Sequence, residues 1–107
     1  MSRQTIAKPT TYLVELNGPL NAHWAEQTVQ IFRDVIEQGA KRIVVNLEEV
    51  TFIDSRGLLA LLSGFKMFGN NTDNFQLVEL QPQIRLFFRL TQFDKVFQLA
   101  GAQPSAN

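Results

Sequence analysis

A chain of 107 residues has room for one domain, because single cores divide only in much longer chains. Hydrophobic residues make up 45% of it and nine phenylalanines are spread along its length, enough apolar area for a core without disulfides or metal. Ten basic and ten acidic side chains cancel, which argues against direct nucleic-acid binding, and the lack of cysteine excludes disulfides, thiolate metal sites and a cysteine nucleophile. The start, Met1 to Thr5, is polar and carries no signal-peptide core, and no apolar run reaches the roughly 20 residues of a membrane span. A cytoplasmic protein, not inserted in a membrane, is therefore expected.

Tyr12-Leu13-Val14-Glu15-Leu16 mixes aromatic, β-branched and polar residues and predicts a strand, stopped by Gly18-Pro19. From Ala25 the apolar positions Ala25, Val29, Phe32 and Ile36 recur at three- and four-residue steps, the mark of an amphipathic helix, with Gly39 placed to end it. Arg42-Ile43-Val44-Val45-Asn46-Leu47 is a nearly continuous β-branched run, which suits a central strand covered on both faces. After Thr51-Phe52-Ile53 and Asp54-Ser55 a second helical pattern carries Leu58, Leu61, Leu62, Phe65 and Phe68 and stops at Gly69-Asn70-Asn71. Phe75 to Leu80 predicts a further strand; Pro82 then opens a third helix with Ile84, Phe87, Phe88 and Leu90 as its apolar face. Asp94 to Leu99 reads as a last short strand, and Ala102 to Asn107 as a frayed end. Strands alternating with helices imply right-handed crossovers. The expected fold is a single α/β domain over 1–107, its core about 12–99, with a mixed sheet of four or five strands and helices mainly on one face.

The turn Asp54-Ser55-Arg56-Gly57 carries the most information. Asp54 or Ser55 can cap the following helix by accepting from its unpaired amides, and Gly57 permits close approach to a neighbouring element. Other chemistry finds little support. His23 is the single histidine, no nucleophile-elbow pattern surrounds Ser55, and a first-helix position suits a surface or capping role for His23. One histidine without cysteine or spaced carboxylates offers too few metal ligands, and no Gly-Lys-Ser/Thr phosphate loop is present. No catalytic residue, metal or cofactor is expected.

The stretch Ile43 to Leu58, a hydrophobic strand leading into Asp54-Ser55-Arg56-Gly57-Leu58, resembles the signature of the STAS domain family, in which Asp-Ser-x-Gly-Leu opens a helix. Leu16-Asn17-Gly18-Pro19-Leu20-Asn21 is similar to the family's Gly-Glu-Leu-Asp turn, and Gln83-Ile84-Arg85-Leu86-Phe87 to its late helix, so order and spacing agree from about Tyr12 to Leu99. The resemblance implies an anti-sigma factor antagonist, a non-enzymatic protein that when unphosphorylated docks onto an anti-sigma factor serine kinase and so frees a sigma factor for transcription. It makes Ser55 the phosphoacceptor, with a cognate serine phosphatase as second partner. Asp54, Arg56, Gly57, Leu58 and Asn21 become switch-site neighbours and partner contacts, and a weak homodimer is compatible with it. Arg56 would either neutralise part of the phosphate's charge or guide the kinase.

Two positions depart from the family pattern: Pro19 stands where an acidic residue is usual and Asn21 where an aspartate is usual. Leu59 replaces a frequent glycine, a difference read as packing. The alternative within the family is a STAS subunit of a larger assembly, such as a lipid-transport ATPase complex or a stressosome-like scaffold, in which the serine stays unmodified. Trp24 is expected as a buried staple between the first helix and the sheet, with an exposed binding anchor as the other reading. Phe87 and Phe88, being adjacent, cannot share one helix face.

Overall fold

The computed structural model describes residues 2–99. In chain order the elements are β1 (Ser2–Lys8), β2 (Thr11–Leu20), α1 (Ala22–Glu37), β3 (Arg42–Ile53), α2 (Ser55–Met67), β4 (Phe75–Val78), α3 (Pro82–Leu90) and α4 (Phe93–Phe97). The strands form one mixed sheet in the order β1-β2-β3-β4, with β1 antiparallel to β2 and the pairs β2–β3 and β3–β4 parallel.

Each parallel pair needs a crossover, and α1 and α2 supply them. Both crossovers step the same way across the sheet, so one handedness sets both helices on one face, parallel to each other. Tyr12, Val14 and Leu16 of β2 and Ile43, Val45 and Leu47 of β3 are buried beneath them, while Leu13, Val44 and Asn46 on the opposite face are only half-buried. The expectation that Arg42 to Leu47 is covered on both faces is thus corrected, although β3 is an interior strand as expected.

Thr28, Ile31, Phe32 and Val35 form the buried stripe of α1, and Leu58, Leu61 and Phe65 belong to that of α2. Phe75, fully buried at the start of β4, is the hub of the aromatic core. Its ring lies 5.4 Å from that of Phe32, 6.0 Å from those of Phe65 and Phe68, and 6.1 Å from that of Phe97. Such separations suit the edge-to-face and tilted arrangements that aromatic quadrupoles favour. Gly64 makes room for this cluster, since a Cβ there would stand 2.5 Å from the Phe32 ring and 2.8 Å from that of Phe75.

Several elements differ from the sequence expectation. Ser2–Lys8, read only as a polar start ahead of the core, is a strand paired with β2 through Ser2↔Leu16 to Ile6↔Tyr12. Its residues are mostly exposed, so it has no apolar alternation to betray it. Gly18-Pro19 does not stop β2: Gly18 adopts φ +83°, the register shifts on either side of Asn17, and pairing resumes at Pro19↔Phe52 and Leu20↔Ile53. Among the described residues no second strand pairs with β2 at Pro19, the edge setting in which proline is tolerated. The strand expected over Asp94 to Leu99 is instead helix α4, bracketed by Gln92 and Gln98 in the left-handed conformation, which turns Phe97 onto Phe65 and Phe88. Of the third helix, Ile84 and Phe88 are buried and Phe87 half-buried, but Leu90 is 73% exposed and so is not part of its core face. The expected frayed end, Ala102 to Asn107, lies outside the described residues.

Candidate functional site

Two parallel strands, β2 and β3, end side by side at Leu20↔Ile53, and each runs directly into a helix. At the end of β2, Asn21 caps α1: its Oδ1 accepts from the amides of His23 (3.1 Å) and Trp24 (3.3 Å). At the end of β3, Asp54 caps α2 in the same way, accepting from Arg56 (2.9 Å) and Gly57 (3.1 Å). Of the two capping choices the sequence allowed, Asp54 is the one used. Two helix N-termini, each with its partial positive charge, therefore open beside each other at the carboxyl end of the sheet, the usual place for binding in parallel α/β sheets.

Gly57 fastens this arrangement. A Cβ at that position would lie 1.9 Å from the carbonyl oxygen of Leu20 and 2.7 Å from its carbon. Only glycine lets the first turn of α2 rest on the end of β2, where the same Leu20 carbonyl accepts the Asp54 amide at 3.3 Å. Gly57 and Leu58 are both buried, so whatever they contribute to partner binding comes from beneath the surface, by packing.

Ser55, the first residue of α2, is exposed and its hydroxyl makes no hydrogen bond among the described residues. Arg56 is exposed beside it. Asp54 already closes the amides of Arg56 and Gly57 with its side chain and that of Leu58 with its carbonyl. A phosphate on Ser55 could not take those amides without displacing the cap.

Asn21 shows what its departure from the family pattern costs. An amide oxygen caps as well as a carboxylate, so the helix start is retained while a negative charge is lost. Trp24 is half-buried on the first turn of α1 with its ring 4.6 Å from that of the exposed His23, so it is not the buried staple expected. Phe52, paired with Pro19 three residues before Ser55, and Leu59, about one helical turn after it on α2, are each 53% exposed. The signal for Phe52 was adjacency to Ile53, since strand neighbours point to opposite faces; Leu59 carries no such signal, because adjacent helix residues such as Ile31 and Phe32 are both buried.

This fold and this helix start are those of the STAS domain. The family model described as "STAS domain" matches residues 2–105, and the chain belongs to that family. Among its relatives is BtrV of Bordetella bronchiseptica, named as a candidate anti-sigma factor antagonist. It is 29% identical over 91 residues, spanning 85% of this chain and 78% of that protein. An anti-sigma factor antagonist from Mycobacterium paratuberculosis superposes with a TM-score of 0.79 at 24% identity, over 92% of this chain and 83% of that one. The Bacillus cell fate determinant SpoIIAA in its phosphorylated form superposes with a TM-score of 0.68 at 22% identity, over 89% and 86%.

Proposed function

We propose that this protein is an anti-sigma factor antagonist that works as a phosphorylation-switched binding module. It docks onto an anti-sigma factor serine kinase while Ser55 is unmodified, and a cognate phosphatase restores that state after phosphorylation. The observation that carries this reading is Ser55 itself: an exposed hydroxyl with no internal hydrogen bond, at the start of a helix whose amides are already capped by Asp54. A kinase can reach such a serine without unfolding anything, and the added charge of about −1.5 to −2 falls on the surface instead of the core. The consequence is therefore for affinity. A docked partner would have to desolvate the phosphate or meet it with its own carboxylates, and a loss of about 2.7 kcal/mol is a hundredfold in binding. The names of the relatives support the antagonist role. Among the described residues no helix is long and apolar enough to cross a membrane.

The test is mass spectrometry of the protein from its own cells, with and without stress, joined to capture of partners by wild type and by Ser55→Asp. Phosphate on Ser55, with a kinase-like partner captured by wild type and lost by the aspartate variant, is the expected result. An unmodified Ser55 with partners indifferent to the substitution would overturn the switch and leave a constitutive assembly subunit.

A further inference from the structure

α1 and α2 pack side by side and run parallel, and the outward seam between them is a groove of about 770 Å³. Its lining mixes small apolar residues, Val29 and the buried Ala60, with the polar Gln27, Gln30 and Ser63, and the exposed Leu59 stands among them. Arg56 lies at the end nearest Ser55, and Arg33 lies two turns further along α1. From Ala25 to Arg33 the groove runs along nine residues of α1, a length of about 12 Å. Neither arginine is in an ion pair among the described residues, where the ion pair present joins Arg3 and Glu15. Glu26 also lines the groove and offsets part of its positive charge.

We infer that this groove is the docking seat for an acidic amphipathic helix of the partner protein. Two parallel helices leave a furrow that the ridge of a third helix fills, and a strip of small apolar residues together with two cations selects a definite pattern. The occupant carries two adjacent apolar anchors at i+3 and i+4 for the strip and carboxylates at i and i+7, about 10.5 Å apart along its axis, for the arginines. The inference rests on the partner-binding reading above and extends it. Because Arg56 follows Ser55 directly, a phosphate on Ser55 competes with the partner's carboxylate for that guanidinium, so modification at the groove's mouth weakens docking along its length.

The probe is a synthetic helix-stapled peptide with leucine at i+3 and i+4 and glutamate at i and i+7, titrated into the isotope-labelled full chain and followed by amide chemical shifts. The amides of Val29, Leu59 and Ala60 are expected to shift. Arg33→Glu should weaken the acidic peptide about fivefold, the scale expected when one exposed ion pair becomes a repulsion, and a lysine-for-glutamate peptide should recover that loss on the variant. Equal binding of acidic and lysine peptides to the wild type, shifts confined to another surface, or indifference to Arg33→Glu would overturn the inference. Self-association abolished by Arg33→Glu would do so too, by making a second copy the occupant. The peptide experiment needs neither kinase nor phosphate, so the two readings fail separately. Partner capture sensitive to Ser55→Asp but not to Arg33→Glu sinks the groove alone, whereas groove binding in a protein never phosphorylated keeps the groove and sinks the switch.

Discussion

Gly57→Ala is the sharpest test of how the site is built. At an ordinary helix position the change would stabilise by about 0.5–1 kcal/mol, since alanine is the better helix former. Here the new methyl would stand 1.9 Å from the Leu20 carbonyl oxygen and 3.1 Å from the Leu20 Cβ, and the first of these is a backbone atom that cannot swing aside. The start of α2 must retreat from β2 by more than 1 Å to relieve the overlap, judged against an ordinary van der Waals separation of about 3.5 Å. Retreat strains the hydrogen bond that the Asp54 amide donates to the Leu20 carbonyl and lifts Leu58 and Leu61 from the sheet. Overpacking of this kind costs about 1–3 kcal/mol, and disturbance of the cap adds up to about 1 more. Set against the helix-propensity gain, a net loss of about 1–3 kcal/mol is expected, against a total of about 5–15 for a domain of this size. Urea denaturation followed by far-ultraviolet circular dichroism measures it, with a melting temperature lowered by roughly 5 °C or more as the companion reading. A variant as stable as wild type, or more stable, would refute the claim that α2 rests on the end of β2 through this glycine.

The remaining predictions use the same two assays unless stated. Asn21→Ala should cost about 0.5–2 kcal/mol through loss of the α1 cap, whereas Asn21→Asp should keep full stability or gain a few tenths at low salt, since a carboxylate caps equally well and suits a helix N-terminus. If both variants lose stability alike, Asn21 does not act through its Oδ1. Ser55→Asp should leave stability within about 0.5 kcal/mol of wild type, because the side chain is exposed and unbonded; a larger loss would place the effect of phosphorylation on the fold rather than on binding. Phe75→Ala should cost about 3–5 kcal/mol, as it empties the point where four other phenylalanine rings meet, and a loss below 1 kcal/mol would show the aromatic cluster to be loosely packed.

The helices α1 and α2, the first half of β3 and the turn from Asp54 to Gly57 are legible in the sequence because each leaves a local mark. A 3.6-residue apolar period, a β-branched run and a capping carboxylate act over a few neighbouring residues. Locally, Asp54 before Ser55 and Gly57 two residues after it mark only a helix start at which a small hydroxyl comes first; the switch role of Ser55 is what the family resemblance implies. What tertiary structure alone decided depends on groups remote in sequence. β1 exists through main-chain bonds to β2, which any side chain can make, so its exposed residues carry no pattern. β2 passes through Gly18-Pro19 because β3 remains to pair with, at Phe52 and Ile53. Phe93 to Phe97 turns helical because Phe97 finds Phe65, Phe75 and Phe88, rings that lie far apart along the chain. The pairing of the Asn21 and Asp54 caps, and the groove that opens from them, follows from two crossovers of one hand laid on one face of the sheet. No stretch of sequence contains that juxtaposition; the parallel register of β2 and β3 creates it.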